Sequence, residues 1–103
     1  MIRIRFRTQQ GQISGFTLSG HAGAGAAGED VVCAAVSSAA YMTVNTVTDV
    51  LHVDAHITVR DGYMDVTVDE PSSCQAVFSG FRLHMQAIQD QYPSRVQFIN
   101  TEV

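Results

Sequence analysis

The sequence predicts an α+β fold. The expected architecture is a two-layer sandwich of order ββαββαβ, a largely antiparallel sheet with two helices on one face. Three observations carry this. Residues 2–7 alternate apolar side chains with arginine, the period of a strand with one buried face. Asp61-Gly62 separates two alternating runs, the mark of a two-residue hairpin turn. Two longer stretches repeat apolar residues every three or four positions, the period of helices that bury one side. Two helices on one sheet face is the economical packing for these elements.

The elements follow in order. Ile2, Ile4 and Phe6 alternate with Arg3, Arg5 and Arg7 in the first strand. A polar turn over 8–12 leads to a second strand, from about Ile13 to Leu18. Its apolar phase slips between Ile13 and Phe16, and a bulge beside Gly15 would repair it. Residues 19–30 form a loop with four glycines at 20, 23, 25 and 28 and no large side chain, read as a lid or hinge. Asp30 is the expected N-cap of a helix from about Val31 to Leu51. Its buried stripe is expected to be Val32, Val36, Ala40, Val44, Val47 and Leu51. A second hairpin spans 53–69, with Val59 opposite Met64, Ile57 opposite Val66 and Ala55 opposite Val68. Pro71-Ser72-Ser73 opens a second helix carrying Val77, Phe81, Met85, Ile88 and Tyr92 on one face, and Pro93 stops it. A last strand runs from about Arg95 to Asn100.

Composition narrows the class. The chain has 103 residues, 46% apolar and 16% charged, which fits one globular domain over 1–103. Its net charge of −4 argues against a general nucleic-acid binder, which needs a basic stripe. All six basic residues are arginine, so lysine Schiff-base chemistry and a phosphate-loop lysine are excluded. The alternating N-terminus does not read as a signal peptide. No continuous apolar run suggests a membrane span. These features point to the cytoplasm, where the two cysteines are expected to be reduced.

Cys33 is the leading candidate for chemistry. With Asp30 as cap it falls at the third helical position, where unpaired N–H groups and the helix dipole favour a thiolate. A small core cysteine is the other reading of the same position. His21 ends the second strand where the chain enters the glycine loop. There it could take a thiol proton and return it to a leaving amine, or be a loop histidine with no task. Cys74 has no histidine near it in sequence. His52 and His56 are spaced i, i+4 across a change from helix to strand. No metal-ligand spacing is present, so neither metal nor cofactor is expected.

Gly20-His21-Ala22, Gly28, Asp30, Val32-Cys33-Ala34, Ser37 and Val44-Asn45 together resemble the ribosomal-processing cysteine protease family, Prp. The family's length and element order are similar over the whole chain. The resemblance implies a bacterial cytoplasmic endopeptidase with a Cys–His dyad. It would act as a homodimer on the short N-terminal extension of a large-subunit ribosomal protein. Carried to this sequence, Cys33 is the nucleophile and His21 the general base. Gly20 gives the loop its swing, Ser37 touches substrate or supports the site, and Asp30 caps the helix or orients His21. One departure is the loop, where residues 23–27 are only Gly and Ala. A loop of that composition is expected to close on substrate.

Two other classes fit the same residues. One is a non-catalytic peptide-binding or ribosome-assembly module, which needs neither His21 nor Cys33. The other is a redox-sensing thiol, for which Cys74 is the sole possible resolving partner in the chain.

Overall fold

The computed structural model describes residues 1–20 and 29–102. The chain runs β1 (Ile2–Gln9), β2 (Gln12–Ser19), α1 (Glu29–Asn45), β3 (Ala55–Arg60), β4 (Tyr63–Val68), α2 (Gln75–Gln91) and β5 (Val96–Glu102). The strands make one five-stranded sheet in the order β3-β4-β2-β1-β5. Every pairing is antiparallel except β1 with β5. The architecture expected from the sequence is the one observed.

The first hairpin turns through Gln10 (φ 53) and Gly11 (φ 77), the two left-handed positions of a tight turn whose twist matches the strands. The expected bulge is present. Arg7 pairs with Gly15 and Thr8 with Ile13, leaving Ser14 as the extra residue. The Ser14 hydroxyl donates to the Arg7 carbonyl at 3.4 Å. The slip restores the phase, so that Ile13, Phe16 and Leu18 are all buried. Gly15 is required for space, because a Cβ there would strike the Val66 carbonyl oxygen of β4. Over that gap the Arg7 guanidinium crosses the open sheet face. It donates to Asp65 Oδ1 at 2.9 Å, the Thr67 hydroxyl at 2.8 Å and the Val66 carbonyl at 2.9 Å.

Both helices lie on the other face. Ile2, Ile4, Phe6, Phe16, Leu18, Met64, Val66 and Val68 point into that layer and are buried. Phe16 meets Phe81 at 4.7 Å and Phe78 edge-on at 6.1 Å between ring centroids. Burying a phenylalanine side chain of this kind stabilises the fold by about 1.5–3 kcal/mol.

The helices differ from expectation at their ends. α1 begins at Glu29, so Asp30 lies inside its first turn and not at the cap. Two successive acidic residues suit the positive end of a helix, which explains the earlier start. After Asn45 the helix widens into a π-helical turn, Thr46–Val50. Thr43, Thr46 and Thr48 each donate back to the carbonyl four residues earlier, a pattern associated with helix bending. The widened turn breaks the spacing. Val32, Val36, Ala40, Val44 and Val47 are buried as expected, but Leu51 is 39% exposed. By length and composition, the 20 residues Val31–Val50 would suffice to cross a membrane, contrary to the sequence expectation. Ser, Thr, Tyr and Asn interrupt its apolar runs, Asp49 is the one charged residue in it, and its buried stripe packs on the sheet.

A 3-10 turn, Pro71–Cys74, leads into α2. The buried stripe is Phe78, Phe81, Met85 and Ile88, and Tyr92 is exposed beyond it. Val77 packs only at the margin of the core, because Phe78 takes the inward position one residue later. The second hairpin has the expected pairs Val59–Met64, Ile57–Val66 and Ala55–Val68.

Candidate active site

A cleft of about 280 Å³ opens at one end of the sheet, where β2 ends. Cys33, Ser37 and Tyr41 line it from α1, Gly20 from the end of β2, and Val59 and Tyr63 from the second hairpin. The three α1 residues stand four apart, so they descend one face of the helix. The Arg60 guanidinium lies 4.0 Å over the Tyr63 ring at the rim.

Gly20 fixes where the chain leaves the sheet. Its φ is +93°, a conformation open to glycine, and a Cβ would strike the Met1 carbonyl oxygen. Its N–H donates to the Gly62 carbonyl at 2.9 Å, tying the end of β2 to the turn between β3 and β4. His21 follows in the chain. His21 and loop residues 23–28, assigned from sequence as base and lid, lie outside the described residues.

Cys33 is the fifth residue of α1, not the third, because the helix starts earlier. Its thiol is half-buried and packs against the core while facing the cleft. Helical side chains lean towards the N-terminus, so the first-turn N–H groups lie ahead of it on the side to which it points. Ser37 is exposed on the cleft wall one turn later.

Cys74 is a different kind of cysteine. It has no exposed surface, and burial pushes its thiol pKa up, with the nearby Glu70 carboxylate adding to the shift. A buried protonated thiol is a poor nucleophile. It also sits at the wrong end of the molecule to pair with Cys33. Its neighbour Gln75 bonds to Ile13 at the start of β2, whereas Cys33 shares a cleft with Ser19 and Gly20 at the end of β2. Those ends are roughly 20 Å apart at about 3.3 Å per residue. A disulfide needs Cα atoms within about 7 Å. The redox-sensor class therefore loses its resolving partner in this fold.

Among the described residues no group of three or more His, Cys, Asp or Glu comes together to hold a metal ion. His56 lies on β3 and faces Asp69 at 3.2 Å on the surface. His52 sits in the turn after the π-helical segment with φ 55.

Sequence reasoning missed Tyr41, Val59 and Tyr63 as cleft walls. The four-residue spacing from Cys33 through Ser37 reaches Tyr41 and is readable in the sequence. The hairpin residues have no such signal, because their place beside α1 depends on β4 pairing with β2.

The model of the cysteine protease Prp family matches residues 1–97. Among solved structures, the ribosomal processing protease Prp from S. aureus with a covalently linked product peptide superposes with a TM-score of 0.89. It is 21% identical, over 98% of this chain and 100% of that one. The same S. aureus protease with a substrate peptide gives 0.88 at 20% identity, again over 98% and 100%. SMU.848 from Streptococcus mutans is 29% identical with a TM-score of 0.83, over 100% of this chain and 96% of that one. At their identities the two S. aureus structures speak to the fold alone. No curated protein matches the sequence.

Proposed function

Because the chain belongs to the Prp family of cysteine proteases, we propose that it is an endopeptidase that removes the short N-terminal extension of a large-subunit ribosomal protein. Cys33 is the nucleophile and His21 the general base. The observation that carries this reading is that Cys33 and Gly20 line the same cleft. His21 is the residue that follows Gly20 in the chain.

In this reading His21 takes the Cys33 proton, and Sγ attacks the scissile carbonyl carbon. The carbonyl oxygen becomes an oxyanion, for which backbone N–H groups at the start of α1 are the natural donors. His21 then protonates the leaving amine as the C–N bond breaks, leaving a thioester on Cys33. Water, deprotonated by His21, attacks the thioester carbon and releases the acid product and the thiol. Ser37 supports this wall of the cleft. Asp30, in the first turn of α1 and not at its cap, is assigned in this reading to orienting His21.

The cytoplasmic setting and the homodimer belong to the same proposal. Support for a dimer comes from the outer side of α1, where Val31 and Met42 are 62% and 60% exposed. The test of the function is incubation with a peptide spanning the ribosomal-protein extension, read by mass spectrometry. Cleavage at one bond supports the protease. Binding without cleavage would favour the non-catalytic peptide-binding module.

A further inference from the structure

The two edges of the sheet are finished differently. On the β5 side, the Phe98 N–H donates to Gln89 Oε1 of α2 at 2.7 Å, so at Phe98 that edge is already taken by the helix. β3 is the other edge. Its two-residue turn makes Arg60 and Tyr63 a hydrogen-bonded pair, and bonded positions recur at every second residue. The Asp69 N–H donates to the Asp54 carbonyl at 3.0 Å, in the same phase. The N–H and C=O groups of Ala55, Ile57 and Val59 therefore point away from β4.

The side chains of these residues face the helix layer. Ile57 pairs with buried Val66, and Val59 with buried Met64. Yet Ile57 and Val59 are themselves 41% and 49% exposed. β3 carries no proline, lysine or bulge, the usual devices that blunt an edge. Val59 also lines the cleft that holds Cys33, so the open edge is continuous with the candidate active site.

We infer that β3 is the docking edge for substrate. An extended peptide pairs main chain to main chain with Ile57 and Val59 as an added strand. It sets apolar side chains against theirs and passes Arg60 into the cleft. This rests on the protease reading of that cleft. Continuity with the cleft favours substrate over a second copy of the chain as the occupant.

The test uses a fluorescein-labelled extension peptide and the Cys33→Ala protein, with binding read by anisotropy and wild-type cleavage measured in parallel. Ile57→Pro removes an outward N–H while sparing the bonds to β4, a placement that edge strands tolerate. It should weaken binding by about fivefold or more, the scale of one lost hydrogen bond. Gln89→Ala, at the far edge, should leave binding unchanged. Should Ile57→Pro fail to fold, N-methylation of alternate peptide residues tests the same pairing on unaltered protein, and its effect should recur with period two. Cleavage by the wild type with no such effects overturns the docking edge and leaves the protease reading intact. These effects on binding without any cleavage uphold the edge and overturn the protease. A dimer that Ile57→Pro splits, with peptide binding unchanged, assigns the edge to a second copy and overturns the proposal.

Discussion

The side-chain amide of Gln75 satisfies both backbone groups of Ile13. Its Nε2 donates to the Ile13 carbonyl at 2.8 Å, and its Oε1 accepts the Ile13 N–H at 2.9 Å. The first residue of α2 is thus joined to the start of β2 beside the Ser14 bulge, where ladder pairing is interrupted. Gln75→Ala would leave two backbone groups of a buried residue unpartnered. The expected loss of stability is about 1–3 kcal/mol, measured by urea unfolding. A loss within experimental error would mean that water replaces the amide.

Gly20→Ala should damage both fold and activity. The new Cβ meets the Met1 carbonyl oxygen in a left-handed conformation, at an expected cost of about 1–3 kcal/mol. Since Gly20 aims the chain into His21, kcat/KM for peptide cleavage should fall at least about tenfold, equivalent to about 1.4 kcal/mol of transition-state stabilisation. Full activity in a folded Gly20→Ala protein would show that the chain direction here does not set the base.

Much of the fold was legible because its signals are local. The alternation in β1, the Asp61-Gly62 turn and the register of the second hairpin all follow from neighbouring residues, and all are observed. The bulge was legible too, since a phase slip beside a glycine has few repairs. What was not legible came from competition between local signals or from tertiary pairing. Asp30 is a good cap, but Glu29 before it also suits a helix start, and α1 begins there. Leu51 continues the apolar spacing, but the π-helical turn takes it out of the core. The cleft half contributed by α1 was readable from the spacing of Cys33 and Ser37. The half contributed by Val59 and Tyr63 required the strand order.

Cys74 gives the fold a sensitivity to alkaline pH. Burial first, and the Glu70 carboxylate second, hold its thiol above the ordinary range. A raised folded-state pKa contributes stability that is fully present below the unfolded value and is lost as pH rises through the folded one. The loss therefore starts above about pH 8.5, the ordinary thiol value. Cys74→Ala is less stable at neutral pH because it leaves a cavity. Its deficit relative to wild type should narrow between pH 7 and pH 10, as read from urea midpoints. A constant deficit would mean that the Cys74 thiol titrates alike in the folded and unfolded chains, so that burial does not raise it.

The chain's net charge of −4 gives a salt test. A basic ribosomal-protein tail would be drawn to an acidic enzyme, and salt screens that attraction over about 10 Å at 0.1 M. The cleavage rate at low substrate concentration should fall as salt rises. A salt-independent rate would leave the acidity without a role in substrate capture.

The most direct test of the central claim is the cleavage rate of the extension peptide by wild type, Cys33→Ala and Cys74→Ala in one assay, with folding of each checked by circular dichroism. The expected result is no cleavage by folded Cys33→Ala and near-normal cleavage by Cys74→Ala. Cleavage that survives Cys33→Ala, or that disappears with folded Cys74→Ala, would contradict the assignment of Cys33 as the nucleophile.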